Sequence, residues 1–326
     1  MHELNQADTV GIPKRRAQRI FTWLGRSIIV IVGLILIGIV YESRSEATDA
    51  KRYPPPGRFV DVGGYQLHLY CSGEGSPTVV IESGWGGSSA IWGWVQPEVA
   101  KITRVCAYDR AGMGWSESSP EPRTARQFSR ELHILLERAH EPGPYVLVGH
   151  SLGGHIVRVY ANEYVSEVAG LVLVDPQNLS EHATTAPNSG SRPGKYSLPV
   201  LAAHMGLIRL LAVPLGAVQD LPPHDKQAYK ATSVSPRSVH TFLDEGVGMS
   251  EGAVQARAVT TLGDLPLILL SRGKNLDDET MASQDRYLKL SSNSLRLVAE
   301  KSDHGIMVEQ PDAVIGAILQ MVEMIR

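Results

Sequence analysis

The sequence contains few cysteines and little net charge, and both shortages exclude classes of protein. Two cysteines in 326 residues are too few for a disulfide scaffold or for a zinc site built from four thiolates. The formal net charge is −3, whereas nucleic-acid-binding proteins usually have a strong basic excess, so we predict no nucleic-acid partner. Hydrophobic residues make up 43% of the chain and charged residues 20%, which is enough apolar material to bury a core.

Charge is also absent from one run near the N-terminus. Residues 27–41 carry none, and the run extended back to residue 20 has 22 residues with one charge, Arg26. A membrane-spanning helix needs about 20 mostly apolar residues, and an arginine near its end can reach the headgroups. Basic residues at 14–16 precede the run and favour a cytoplasmic N-terminus. We therefore predict a basic segment over residues 1–26 and one transmembrane helix with its core at 27–41.

The apolar run has other interpretations. It is also compatible with a cleaved signal peptide, since Ser45-Glu46-Ala47 is a tolerable cleavage site, but the preceding basic stretch is long for one. A buried core helix is a further alternative, and the basic residues alone could be a solvated charge run or a nuclear signal. We favour an uncleaved, single-pass anchor with the remaining chain on the extracytoplasmic side. The alternative is secretion after cleavage.

A polar stretch separates this run from the rest of the chain. Residues 42–57 are charged and then proline-rich, and Pro54-Pro55-Pro56 favours extended backbone over helix. We interpret 42–57 as a linker and residues 58–326 as the folded domain.

Short apolar runs alternate with helical patterns through this domain. The predicted strands are 59–62, 65–70, 78–81, 104–108, 145–148, 171–174, 267–270 and 294–298. Such alternation predicts an α/β fold with a mostly parallel sheet flanked by helices. Residues 177–264 interrupt it, and a structureless loop of that length is improbable inside a compact domain. We predict that they form an inserted, mainly helical subdomain, here called the insertion.

The strongest local motif is Gly149-His150-Ser151-Leu152-Gly153. The Gly-x-Ser-x-Gly pattern is common by chance, but here a predicted strand precedes it and a helical pattern follows it. Side chains at Gly149 or Gly153 would collide across such a sharp turn. The turn would expose the Ser151 hydroxyl beside a helix start, whose partial positive charge favours developing negative charge. The alternative is an ordinary glycine-rich turn with an incidental serine.

These features resemble the α/β-hydrolase fold family over essentially all of residues 58–326, with the insertion in the place of the family's cap. The family has its nucleophile, acid and base in that chain order. The resemblance implies Ser151 as nucleophile and His304, between the last strand and the last helix, as the base. It also implies an oxyanion hole formed by the backbone N–H groups of Trp85 and Leu152. A histidine that members often have in the loop before Trp85 is missing, but only backbone is needed there.

Two positions qualify for the acid that orients His304. Asp175 ends the strand 171–174, whereas Asp277 follows the strand 267–270 at the commoner family position but without the usual Gly-x-x-Asp spacing. We favour Asp175 and keep Asp277 as the alternative. Asp303 is a poor candidate because adjacent residues in an extended segment point apart. The segment 109–116 resembles a family loop that we expect to brace the site.

Other residues give weaker signals. No His-Glu-x-x-His motif or other metal-ligand spacing stands out, so we expect neither a metal nor a cofactor. Trp85, Trp92, Trp94 and the apolar stretch 198–213 suggest the wall of an apolar pocket, although such side chains more often fill a core. Cys71 and Cys106 would be able to pair in an exported domain, but buried free thiols are equally compatible with the sequence.

The resemblance implies a serine hydrolase that cleaves carboxylic esters, including lipid-like ones, through an acyl-enzyme. Amide or carbon–carbon hydrolysis and acyl transfer on the same fold stay open, because the fold alone does not select among them. Dehalogenases and epoxide hydrolases of this fold use an aspartate nucleophile, and Ser151 argues against them. A non-catalytic, membrane-anchored binding protein is the alternative from another class. The expected partners are a small ester substrate and, through the N-terminal helix, a membrane.

Overall fold

The computed structural model describes residues 14–178, 194, 196–211 and 220–326. Its strands are β1 (Arg58–Asp61), β2 (Gln66–Ser72), β3 (Thr78–Glu82), β4 (Val105–Tyr108), β5 (Tyr145–His150), β6 (Val168–Val174), β7 (Leu267–Arg272) and β8 (Ser294–Ala299). In these residues the eight strands form one sheet in the order β1-β2-β4-β3-β5-β6-β7-β8. β2 runs antiparallel to both of its neighbours, and the remaining neighbouring pairs are parallel. The predicted, mostly parallel sheet is confirmed.

Several of the helices of the chain pack on the two faces of this sheet. Within the described ranges they are α1 (Lys14–Arg52), α2 (Gln96–Val99), α3 (Ala125–Ala139), α4 (Leu152–Glu163), α5 (Leu198–His204), α6 (Leu207–Leu210), α7 (Pro223–Ser233), α8 (Pro236–Ala258), α9 (Asp278–Leu288), α10 (Ile306–Glu309) and α11 (Pro311–Ile325). Because successive strand residues point to opposite faces, Leu147 and Leu171 pack with α3 and α4, while Val148 and Val172 pack with α11. The core therefore lies in two layers, one on each side of the sheet.

The described part of the insertion, residues 177–264, is helical. It contains α5, α6, α7 and α8, and the longest of these, α8, packs on α3 and α4. The insertion connects the end of β6 to the start of β7. It begins where a parallel strand ends, so it lies at the carboxyl edge of the parallel strands. Ligands of parallel α/β sheets usually bind at this edge.

α1 contains the predicted transmembrane run and extends beyond it. Residues 21–52 form a helix long and apolar enough to cross a membrane. No residue of its most apolar 18-residue stretch is buried, which argues against a core helix. The helix continues to Arg52, so the stretch 42–57 that the sequence suggested as a linker is helical over most of its length. The reason is that no proline occurs in it before Pro54, and its Glu, Ala, Lys and Arg residues favour helix.

Cys71 and Cys106 form a disulfide between neighbouring strands. The two residues lie directly opposite each other in the register of β2 and β4, which brings their side chains together. Of the two possibilities that the sequence left open, the structure has the paired one.

We expect the purified full-length protein, denatured without reductant, to show no thiol that reacts with a maleimide reagent, and two after reduction. Reduction should also lower the free energy of unfolding by about 2–4 kcal/mol, because the cross-link restricts the unfolded chain. Mass spectrometry of the labelled protein and urea unfolding measure the two effects. Cys71→Ser is the matched control and should expose one reactive thiol, that of Cys106. Two labels on the unreduced wild-type protein would contradict the pairing.

Candidate active site

Ser151 occupies the turn between β5 and α4 with a strained backbone. Its φ is 52° and its ψ is −118°, and a positive φ is uncommon for a residue other than glycine. A Cβ on Gly149 would lie 2.6 Å from the carbonyl oxygen of Gly153. A Cβ on Gly153 would lie 2.6 Å from the carbonyl oxygen of Glu82. The turn is therefore tight enough to require both glycines, for the steric reason expected from the sequence.

Ser151, His304 and Asp175 form a continuous hydrogen-bonded series. The Ser151 hydroxyl lies 2.9 Å from His304 Nε2, and His304 Nδ1 lies 2.6 Å from Asp175 Oδ2. β5 and β6 are neighbours, so the residues that follow them meet at one edge of the sheet, and the loop after β8 brings His304 there. The Asp175 carboxylate is buried, whereas the His304 ring is 45% exposed. Such an imidazole can accept the serine proton while the carboxylate holds its other nitrogen.

Two residues that no sequence motif marks support Asp175. Gln284 of α9 donates from Nε2 to Asp175 Oδ1 at 2.9 Å, and an Arg272 guanidinium nitrogen lies 3.5 Å from Asp175 Oδ2. These contacts hold the carboxylate in place and compensate its charge. Gln284 belongs to no motif, and Arg272 is the last residue of β7, where a charged segment begins that the sequence alone does not connect with the site.

The alternative acids lie elsewhere. Asp277 is exposed and is the N-cap of α9, where its Oδ1 accepts a hydrogen bond from the Thr280 N–H at 2.7 Å. That hydrogen bond lowers the pKa of Asp277. Asp303 accepts from the backbone N–H of His304 and from Asn275, so it contacts the loop and not the ring. The structure therefore brings Asp175 to His304, and neither Asp277 nor Asp303.

The two residues whose amides are expected to form the oxyanion hole are near Ser151, since Leu152 follows it in the chain and Trp85 lines the same cleft. Leu152 is the first residue of α4, where an N–H has no acceptor within the helix. Trp85 follows β3 in the adjacent loop. Among the described residues no hydrogen bond to either amide is found. That these two N–H groups form the oxyanion hole stays a prediction.

Arg110 fixes the loop that carries the Trp85 amide. Its guanidinium donates to the Ser83 carbonyl at 2.6 Å and to the Gly84 carbonyl at 2.7 Å. The Gly84 carbonyl and the Trp85 N–H belong to one peptide unit, and in a trans peptide they point in opposite directions. By holding the carbonyl, Arg110 sets the direction of the N–H. The segment 109–116 braces the site in this way.

The Arg110 guanidinium is buried between two carboxylates. It lies 2.6 Å from Glu82 at the end of β3 and 2.7 Å from Glu245 of α8. Burial alone would lower the pKa of Arg110, but Glu245 and Glu82 raise it above its usual value. Glu245 also accepts from the Gly86 N–H at 3.1 Å, and Tyr108 donates to Glu82. The network therefore joins the sheet, the insertion and the loop of residues 83–88 that carries the Trp85 amide, here called the oxyanion loop.

His150 connects three parts of the site. Burial, together with neighbouring His304, lowers the pKa of His150 to about 3, so the ring is neutral near pH 7. Its Nε2 lies 2.9 Å from the His304 carbonyl oxygen, where an N–H donates. A Cβ on Gly84 would lie 2.8 Å from His150 Nδ1 and 3.1 Å from Ser151 Cβ. The His150 ring thus packs between the oxyanion loop and the loop that carries the base.

A cleft of about 260 Å³ opens beside Ser151. Its lining combines the Ser151, His304 and Asp175 group with Trp85 of the loop after β3, Pro176 after β6, Arg272 of β7 and Thr280 of α9, and with three residues of the insertion, Gln177, Asn178 and Met249. The Trp85 ring stacks on Phe242 of α8 with 4.1 Å between the ring centroids. The cleft thus lies between the sheet edge and the insertion, and α8 forms one of its walls.

Of the three tryptophans expected in a pocket wall, Trp85 lines the cleft, whereas Trp92 and Trp94 do not. Trp92 is fully buried and donates to the Ser83 hydroxyl at 3.0 Å, so it is a core residue. Trp94 donates to the Asp220 carbonyl oxygen, away from the cleft. Residues 198–211 do not line this cleft, but Val200 and His204 line a separate cavity of about 780 Å³, and 212–213 lie outside the described residues.

One group of side chains in the described part of the chain has the spacing of a metal site. It consists of Cys71, Cys106 and Glu141. Both sulfur atoms belong to the disulfide and Glu141 pairs with Arg104 at 2.6 Å, so this group offers no free thiolate and no unpaired carboxylate.

Comparisons with known proteins agree with this fold. A family model described as the alpha/beta hydrolase fold matches residues 77–196. The uncharacterised protein YqjL of Bacillus subtilis is 28% identical over 76% of this chain and 83% of its own length. The 2-hydroxymuconate semialdehyde hydrolase of Pseudomonas sp. strain CF600 is 28% identical over 64% of this chain and 76% of its own length. An uncharacterised Schizosaccharomyces pombe protein is 31% identical over 56% of this chain, which spans only 34% of that protein.

Solved structures with the same fold have diverse activities. The epoxide hydrolase CorEH superposes with a TM-score of 0.64 at 21% identity, covering 82% of this chain and 99% of its own. The haloalkane dehalogenase DatA of Agrobacterium tumefaciens gives 0.64 at 19% identity, covering 82% and 96%. An esterase from Thermogutta terrifontis gives 0.61 at 20% identity, covering 82% and 98%. At these identities the likeness concerns the fold, while the reaction depends on the residues of the site.

We expect Asp175→Asn and Asp277→Asn to differ sharply in the rate at which a serine-directed fluorophosphonate labels the protein. Asp175→Asn should slow labelling by about 10³–10⁴-fold, because an amide no longer holds the imidazole in the required tautomer. Asp277→Asn is the matched control and should change little, since asparagine caps a helix as well as aspartate. Equal, mild effects of the two variants would mean that neither residue is the acid.

We expect Arg110→Lys to slow fluorophosphonate labelling of the folded protein by about 10–10²-fold, because a lysine cannot hold both loop carbonyls and the Trp85 amide loses its direction. Arg123→Lys is the matched control, since Arg123 is also buried and binds Glu131 through two nitrogens. It should lower stability while leaving the labelling rate of the folded fraction unchanged. Equal labelling rates in the two variants would show that Arg110 has only a structural role.

Proposed function

The chain has the α/β-hydrolase fold, and on this premise we propose that it is a serine hydrolase that cleaves carboxylic esters. The observation that carries the proposal is the hydrogen-bonded series of Ser151, His304 and Asp175, with His304 Nε2 2.9 Å from the Ser151 hydroxyl. This order of hydroxyl, imidazole and buried carboxylate is what activates a serine nucleophile.

Each residue has a defined step in the proposed reaction. Ser151 Oγ attacks the ester carbonyl carbon while His304 takes its proton, and the Trp85 and Leu152 N–H groups stabilise the oxyanion. The bond between the acyl carbon and the oxygen of the alcohol group then breaks, and His304 gives its proton to the departing alcohol. Water attacks the acyl carbon with His304 again as base, the bond from that carbon to Ser151 Oγ breaks, and His304 returns the proton to Ser151 Oγ, which releases the carboxylic acid and free Ser151. Asp175 stabilises the imidazolium in both halves of the reaction.

The serine at the turn between β5 and α4 favours acyl chemistry over the activities of some structural neighbours. Dehalogenases and epoxide hydrolases of this fold attack with an aspartate, whereas this chain has Ser151. The similarity to 2-hydroxymuconate semialdehyde hydrolase supports a second candidate, hydrolysis of such a semialdehyde by the same three side chains.

We further propose that α1 anchors the protein in a membrane with the hydrolase domain outside the cytoplasm. Basic residues 14–16 precede the apolar run and favour this orientation. The disulfide between Cys71 and Cys106 also supports it, because disulfides persist in oxidising compartments. An anchored enzyme of this kind would meet small or lipid-like esters at the membrane.

We expect the full-length protein to release a burst of nitrophenol from short-chain nitrophenyl esters, approaching one equivalent per active site, because the acyl-enzyme forms faster than it is hydrolysed. Ser151→Ala should abolish the burst and lower turnover by at least about 10³-fold. Ser129→Ala, which alters a buried serine of α3, is the control and should change neither.

The assay panel should include 2-hydroxymuconate semialdehyde, a haloalkane and an epoxide. Turnover of the semialdehyde alone would favour the second candidate. Turnover of the haloalkane or the epoxide that survives in Ser151→Ala, or no turnover of any ester by the wild-type protein, would overturn the proposed ester chemistry.

A further inference from the structure

α1 contacts the insertion before its apolar run ends. Gly38 lies inside the uncharged run 27–41, and a Cβ on it would lie 2.5 Å from the carbonyl oxygen of Met205. One turn further, a Cβ on Gly206 would lie 2.6 Å from the ring of Tyr41. The turn between α5 and α6 therefore packs closely on the part of α1 that is uncharged.

The contacts of α1 follow its axis in order. Met205 and Gly206 meet residues 38–41, Arg209 binds Glu42 and Asp49, and the Tyr53 carbonyl just beyond the helix accepts from Trp115 at 3.1 Å. At 1.5 Å per residue, Gly38 and Arg52 are about 21 Å apart along the axis. The α5–α6 turn is thus level with the apolar run, while the contact made by Trp115 lies well beyond it.

The segment around this turn, residues 196–211, exposes large apolar side chains. Leu198 is 82% exposed and Leu210 is 69% exposed, and Tyr196, Leu207 and Leu211 are also exposed. The opposite side of α5 is buried, because Val200 and Ala203 pack on Val239 of α8. Soluble surfaces rarely cluster apolar side chains in this way, and such clusters mark interaction sites.

The charges of this segment do not oppose contact with lipid. Arg209 is its one Lys, Arg, Asp or Glu residue. The Arg209 guanidinium lies 2.9 Å from Glu42 and also pairs with Asp49, so both of its carboxylate partners are on α1. The charge is satisfied within the protein, and the remaining surface of the segment is apolar or neutral.

We propose that residues 196–211 dock into the bilayer leaflet through which α1 leaves the membrane, with Leu198 and Leu210 among the lipid acyl chains. The inference rests on the proposal that α1 spans a membrane. It commits to lipid as the occupant because the surface continues directly from the uncharged run of α1, and apolar helical surfaces at this depth bury into the boundary between headgroups and acyl chains.

Docking would connect the bilayer to the cleft through one helix. α8 packs on α5 through Val239, and Phe242, one turn later, stacks on Trp85 in the wall of the cleft. Esters dissolved in the leaflet would therefore lie next to the insertion, whose helix α8 forms a wall of the cleft. We therefore expect residues 196–211 to matter for the turnover of esters in the membrane and not for the turnover of water-soluble esters.

The test measures depth in the full-length protein, reconstituted in phosphatidylcholine vesicles. A nitrobenzoxadiazole label is attached to Leu210→Cys, Val165→Cys or Ile31→Cys in separate preparations, since the native cysteines are joined in a disulfide. Val165 is the matched control, because it is 71% exposed and apolar but precedes β6 at the opposite edge of the sheet. We expect lipids carrying a spin-label quencher to reduce the emission at positions 31 and 210 by about twofold or more, and not at 165.

Each outcome decides between the claims. Quenching at 31 without quenching at 210 would overturn the docking while leaving the anchor intact, and quenching at neither position would overturn both. Quenching at 165 as strongly as at 210 would show non-specific adsorption and overturn the docking.

A second measurement separates the docking from the proposed chemistry. Leu210→Asp should lower the hydrolysis rate of an ester embedded in the vesicles by about 10-fold and leave that of a water-soluble nitrophenyl ester unchanged, because Leu210 is outside the cleft. An equal loss on both substrates would contradict the substrate claim. If the wild-type protein hydrolyses neither ester, the proposed chemistry fails, and the depth measurement still decides the docking.

Discussion

The buried guanidinium of Arg110 holds together three parts of the structure that the site needs. It binds Glu82 at the end of β3, two carbonyls of the oxyanion loop and Glu245 on α8, and all of these side chains are removed from water. Removing one partner of a buried ion pair leaves an uncompensated charge, which costs about 3–5 kcal/mol. α8 therefore cannot separate from the sheet without a large penalty. The cleft has one rigid wall, and the oxyanion loop keeps its direction without a bound substrate.

The remaining geometry follows from the parallel sheet. β5 and β6 deliver Ser151 and Asp175 to one edge, and the loop after β8 closes over them with His304. His150 fills the space between the oxyanion loop and that closing loop. The site thus depends on a few close backbone approaches, which explains why glycines occupy positions 84, 149 and 153.

Most of the fold could be predicted because buried parallel strands such as β3, β5, β6 and β7 appear as continuous apolar runs, and each of the eight predicted strands corresponds to a strand of the structure. Ser151 and His304 could be selected from their positions relative to strands and helices. Asp175 and Asp277 could not be separated, since both follow strands at the same edge and only the start of α9 shows that Asp277 is a helix cap. Gln284 and Glu245 were not predictable, because their partners lie 109 and 135 residues away and no local pattern marks them. The extension of α1 was missed because a polar composition suggested a linker where no residue breaks the helix.

The ion pair between Glu42 and Arg209 has a consequence for the order in which the protein is made. The two residues are 167 positions apart, so Glu42 leaves the ribosome long before its partner is synthesised. On the proposed topology α1 enters the membrane while Glu42 and Asp49 still lack their partner Arg209. The insertion packs on α1 only after most of the domain has been exported. Final assembly is then a late step of biogenesis, and errors in the insertion would leave a correctly anchored chain whose domain is not yet seated on its membrane helix.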